Sequence, residues 1–210
     1  MLDSDARKSR LARKPENLRE KIVDASISLF LRKGFAGATT RELTDAAGVS
    51  KGTLYWYFES KEQILEEILE RISRELYDGA IQKVKGSRGD FVTRFRVFYR
   101  FITEFAREKK ELLLVSSTVL GEIAGTGNRL EQKMRSIQMK LHDFIKTLLD
   151  EGQQEGSVDK GLDPDVQAHI ILANLIGMHI QWCLHGASFD AVAYARAYRE
   201  QIMRGLGIRR

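Results

Sequence analysis

The chain has 210 residues, 43% hydrophobic and 30% charged, with a formal net charge of +5 and a pI near 9.3. That apolar content suffices for one sizeable domain or two modest ones, and the basic balance leans toward an anionic partner without naming it. A single cysteine, Cys183, excludes an intramolecular disulfide framework. No apolar stretch is long enough for a signal peptide or a membrane span, so a soluble cytoplasmic protein is expected.

Apolar residues recur mostly at three and four, and no stretch alternates with period two, so the spacing predicts an all-α fold of about nine helices. Residues 1–14 carry Arg7, Lys8, Arg10, Arg13 and Lys14, and read as a disordered basic arm able to follow a minor groove or remain solvated. A first helix is expected over 15–33, opened by Pro15, with Leu18, Ile22, Ala25 and Leu29 inward and Gly34 as its cap. Thr39 and Glu42 form a capping box for a second helix over 40–47. Ser50 caps a third over 51–58, and Ser60 with Gln63 caps a long fourth. "GSRG" at 86–89 ends the fourth helix, and further helices are expected over 90–107, 111–123, from the 125–128 loop to 151, 164–185 and 190–204.

The second and third helices, joined by Ala47-Gly48-Val49, have the form of a helix-turn-helix packed on the first helix through Leu43, Ala46, Val49, Leu54 and Phe58. Residues 55–58 are four rings in a row, fanning over roughly 300° of helix surface. No single core covers that arc, and Trp56 is the ring set farthest from Leu54 and Phe58. Exposed rings beside Lys51 and Lys61 suit duplex DNA, where lysine reaches guanine acceptors or phosphates and ring faces pack on sugars or thymine methyls. A solvated helix end packed on another domain is the alternative. Lys61 opens the fourth helix against its dipole, a cost that a bound phosphate would offset.

The stretch "TTRELTDAAGVSKGTLYWYFESKEQIL", residues 39–65, resembles the DNA-binding signature of the tetracycline-repressor (TetR) family. The resemblance implies a homodimer whose head (15–60) binds DNA and whose larger region (61–210) binds an effector and dimerises. By position it implies phosphate contacts from Thr39, Thr40, Tyr55, Tyr57 and Lys61. Base edges would meet Lys51, Gly52 and Thr53, with Trp56 on the sugar-phosphate wall. Glu59 departs from the lysine usual at its place, which weakens one phosphate contact. The operator of such a dimer is expected to be palindromic and no cofactor is expected; the Phe rings of the fifth helix suggest a small apolar or aromatic effector.

Phe91, Phe95, Phe98, Ile102 and Phe105 form a stripe that reads as core or, through the resemblance, as the wall of an effector pocket with Met134, Ile137, Phe144 and Trp182. Arg96 and Arg100 read as a solvated face or an anionic contact. His179 and Cys183 stand one turn apart, yet no further ligand at metal spacing is visible, so no metal is expected there. No nucleophile with a neighbouring base and no nucleotide loop is present, so an enzyme is not expected. The last two helices are apolar on more than one side, with Ala173, Gly177, Ala191, Ala193, Ala195 and Ala197 small enough for a four-helix dimer seam. The reading is a DNA-binding regulator, most simply a repressor. An enzyme or carrier with an incidental three-helix head, or a protein-interaction module, are its rivals.

Overall fold

A computed structural model of the chain describes residues 3–185 and 190–208, with side chains from Asn17 onward. Every regular element among the described residues is helical. The head comprises α1 (Asp3–Gly37), α2 (Thr40–Ala47) and α3 (Lys51–Tyr57). Lys61–Ile72, a π-helical stretch Ser73–Asp78 and Gly79–Lys85 follow without interruption as one long helix, α4. Then come α5 (Phe91–Glu108), α6 (Lys110–Ile123), α7 (Arg129–Gln154), α8 (Pro164–Leu184) and α9 (Ala191–Gly205), nine helices among the described residues.

The expected boundaries hold within a few residues, except that α1 begins at Asp3 rather than Pro15. It runs through the segment read as a basic arm, whose side chains, Arg7, Arg10 and Arg13 among them, lie outside the described residues. At Gly34 the backbone turns to φ 75°, and a Cβ there would stand 2.9 Å from the Glu122 carboxylate. Both facts restrict this position to glycine.

One contiguous core joins head and body. Ile22, Leu29 and Phe30 of α1 meet Leu43, Ala47, Leu54 and Phe58 of the helix-turn-helix. Ala47, not Ala46, faces inward: it lies one turn from Leu43, whereas Ala46 is exposed. Ile64, Leu65, Ile68, Leu69 and Ile72 then carry the apolar face of α4 into the body. The acidic side of α4 is a second docking face. Glu67 pairs with Arg19 of α1 (2.7 Å), Glu66 with Arg129 of α7 (2.9 Å), and Glu70 with Lys133 of α7. Such partly exposed pairs contribute about 0–1 kcal/mol each, so they set register more than stability. The long helix is therefore held to the head on one side and to α7 on the other.

Candidate DNA-binding surface and effector cavity

The helix-turn-helix is built from its caps. The Thr39 hydroxyl accepts from the Glu42 N–H, and the Glu42 carboxylate accepts from the Thr39 N–H (3.0 Å), completing the box. Gly48 ends α2 at φ 64°, a conformation that suits glycine. Ser50 caps α3 by accepting from the Thr53 N–H (3.0 Å). Ser60 accepts from the Gln63 N–H (3.3 Å), but Gln63 reaches back to the Glu59 N–H (2.6 Å), one residue beyond a true capping box. Glu42 is also bound by Lys33 of α1. That bond first, then those from Thr39, lower its carboxyl from 4.5 to about 2.

The outward surface of α3 is aromatic and basic. Trp56 is 72% exposed and Tyr55 46%, while Phe58 is buried at 1%. Trp56 meets the half-buried Tyr57 edge to face at 4.5 Å, and the Lys51 ammonium lies 5.8 Å from the centre of the Tyr55 ring. Thr39, Lys51 and Gly52 are exposed beside them, and Thr40 and Thr53 are half-buried. A Cβ on Gly52 would meet nothing nearer than the Ser50 hydroxyl at 3.8 Å, so this face is open to a flat partner. Arg41, exposed on α2, adds a further charge that no cap or periodicity in the sequence marks.

Lys61 differs from its expected role. Its ammonium donates to the carbonyls of Phe35 (2.8 Å), Ala38 (3.1 Å) and Ala36 (3.4 Å) and lies 4.5 Å from the centre of the Phe35 ring. All three N–H bonds are used within the protein, so the cost of a cation at this helix start is offset by carbonyls at the end of α1. From the other side the Glu122 carboxylate, in the last turn of α6, accepts from the N–H groups of Phe35 (2.8 Å) and Ala36 (2.7 Å). The turn between α1 and α2 is thus gripped by the start of α4 and the end of α6.

Those two helices also wall a cavity of about 70 Å³ in the body. Leu69, Ile72 and Leu76 of α4 face Leu113, Ser116 and Leu120 of α6 across it, with α7 and α8 closing the sides. Of the expected pocket residues, Ile102, Met134 and Ile137 line it. Phe95, Phe98, Phe105 and Phe144 do not. Phe95 and Phe98 are wholly buried among rings, with centres 5.6 Å from Phe91 to Phe95 and 6.1 Å from Phe98 to Phe144. They are core, because a helical aromatic stripe fills space completely when a neighbouring helix packs on it. Trp182 borders a smaller cavity of about 30 Å³ beside α9. Arg96 and Arg100 are exposed.

The cavity is apolar with few polar atoms. The Ser116 hydroxyl donates back to Leu113 of its own helix (2.7 Å), whereas Nδ1 of buried His179 has no protein partner. Burial first, then the Lys110 charge, push the His179 pKa below its ordinary value, so the ring is neutral at pH 7. An orphaned buried nitrogen beside an apolar space is a ready contact for a ligand atom.

On the far side, α8 presents Val166, Ile170, Ile180 and Leu184 to solvent, and α9 presents Val192. Ala173, Ala193 and Ala197 are exposed among them. Ala195 is half-buried against the chain's own core.

An all-helical chain that turns a basic aromatic helix outward and encloses an apolar cavity behind it has the form of a DNA-binding regulator with its own sensor. Residues 22–68 match the family described as bacterial regulatory proteins, tetR family. The fatty acid metabolism regulator protein of Bacillus subtilis is 26% identical over 199 residues, covering 88% of this chain and 93% of that protein. The probable acrEF/envCD operon repressor of Escherichia coli is 26% identical over 193 residues, covering 89% and 85%. Among solved structures, the fatty acid degradation regulator FadR from Bacillus halodurans superposes with a TM-score of 0.80 at 20% identity, covering 91% and 97%. FadR from Bacillus subtilis in complex with stearoyl-CoA does so at 0.77 and 21%, covering 89% and 98%. The matched segment and these near-full-length relatives support a TetR-family transcriptional regulator.

Proposed function

We propose that the protein represses transcription as a homodimer on a palindromic operator and releases it when an apolar effector enters the cavity between α4, α6, α7 and α8. The observation that carries this reading is the exposed group of Lys51, Tyr55 and Trp56 on the second helix of a capped helix-turn-helix. Lys51 and Thr53 face base edges, Tyr55 and Trp56 the backbone, and Gly52 permits close approach. Lys61 acts indirectly, by fixing the turn that orients α2. The exposed apolar faces of α8 and α9 are assigned to the dimer seam, since a contiguous apolar face on a regulator of paired half-sites fits a second copy of itself.

One similar structure, FadR from Bacillus subtilis, holds stearoyl-CoA, and the similar sequence from that organism is that of a fatty acid metabolism regulator. The apolar walls suit an acyl chain, which makes long-chain acyl thioesters the first effectors to try. At about 70 Å³ the cavity is far too small for one as it stands, so such a ligand must part α4 from α6. Those helices hold the head through Lys61 and Glu122, so parting them moves the turn between α1 and α2. A ligand shifts the equilibrium only by its difference in affinity for the two states, about 1–3 kcal/mol in typical coupling. Selection of bound sequences from random duplexes tests the reading. A palindrome should emerge; recovery of no common sequence would favour a carrier or a protein-interaction module.

A further inference from the structure

His142, in α7, and Asp165 and His169, on the first turns of α8, each present one ligand atom within 4.8 Å of the others. His142 is buried, while the other two, one turn apart, are exposed. Nδ1 of His142 lies 3.1 Å from Oδ1 of Asp143; Nε2 lies 3.3 Å from the Asp165 carbonyl oxygen and 3.6 Å from its Oδ1. A carbonyl and an ionised carboxylate only accept, and a neutral imidazole has one N–H to give. Whichever nitrogen carries it, the other turns a lone pair toward oxygen lone pairs. A cation at that nitrogen removes the conflict. A second proton would do so too, but it gives no reason for a second imidazole alongside, and the ring centres of His142 and His169 are 4.2 Å apart. With Nδ1–H donated to Asp143, Nε2 is left facing Asp165 and His169, the arrangement in which a carboxylate orients a metal-ligating histidine.

We propose that His142, Asp165 and His169 bind a divalent transition-metal ion, with Asp143 as the positioning residue. Two imidazoles and one carboxylate suit zinc and its neighbours rather than calcium or magnesium, and three protein ligands leave a position for water. Bonds of about 2.0–2.2 Å place neighbouring donors roughly 3.3 Å apart, so the exposed Asp165 and His169 swing inward while His142 stays fixed. Leu141, beside His142, and Leu172, one turn from His169, both line the cavity, so the ion would tie two of its walls together. The site stands independently of the reading as a DNA-binding repressor.

Zinc chloride titrated calorimetrically into the full chain, stripped with a chelator, tests this. One ion per chain is expected. His169→Ala, an exposed change that leaves the core intact, should weaken binding tenfold or more. Asp143→Asn should weaken it about 10–100-fold without altering the melting temperature of the metal-free protein. Cys183→Ser, which disables the His179–Cys183 pair (3.6 Å), should leave binding unchanged. No stoichiometric binding, equal affinity in wild type and His169→Ala, or loss of binding in Cys183→Ser would overturn the proposal.

Discussion

At Gly52 the physics of the free protein and of a complex pull in opposite directions. A methyl group there meets open space, and replacing glycine by alanine inside a helix typically adds about 0.5–1 kcal/mol. In the proposed DNA complex the same methyl would fill the space of closest approach. Gly52→Ala is therefore expected to raise the melting temperature slightly while weakening duplex binding, as read by calorimetry and anisotropy on one preparation. Lys51 and Lys61 separate in the same way. Lys51→Ala should relax base preference at one position by about 1–3 kcal/mol and leave stability unchanged. Lys61→Ala strands three carbonyls and should cost about 1–3 kcal/mol in a urea melt. Glu42 supplies a pH dependence: its carboxyl sits lower in the folded state than in the unfolded one. The stability it adds is present above pH 4.5 and is lost as pH falls toward 2. Glu42→Gln should flatten acid unfolding of the head across that window, followed by circular dichroism.

Among the elements, the caps were the most legible part of the sequence. Thr39, Ser50 and Ser60 each cap the helix expected of them, because a cap is a bond between residues three apart. The stripe of α5 was legible as buried, but periodicity does not tell a core ring from a cavity wall. Met134 and Ile137 show the same spacing as Phe98, yet only the former two border empty space. Phe98→Ala should consequently lose about 3–5 kcal/mol of stability by urea unfolding, with no loss specific to effector response. From sequence Lys61 reads as a surface charge because its three acceptors lie more than twenty residues earlier in the chain. The pairing of His142 with His169 is illegible in sequence for the same reason: they meet only once α7 and α8 pack together. On α8 and α9 the split between inward and outward residues also needed the fold. Ala195, small and plausible as a seam residue, is turned against its own core, whereas Ile180 is exposed. At the proposed seam, Ile180→Arg should therefore raise the dimer dissociation constant by roughly a hundredfold or more in sedimentation, since an unpaired charge would be buried.

Across the whole molecule, the proposed switch rests on the short wall between cavity and head. α4 and α6 line the cavity at their middles and grip one turn of the head at their ends, Lys61 through carbonyls and Glu122 through amides. A displacement of either helix therefore reaches α2 without passing through a flexible linker. The most direct test of ligand-controlled operator binding is an anisotropy titration of the selected palindromic duplex, with and without saturating stearoyl-CoA. Two chains per duplex, a strong preference over a scrambled duplex, and roughly 5–150-fold weaker binding with ligand are the expected result. Equal affinity for selected and scrambled duplexes, unaltered by the ligand, would contradict it.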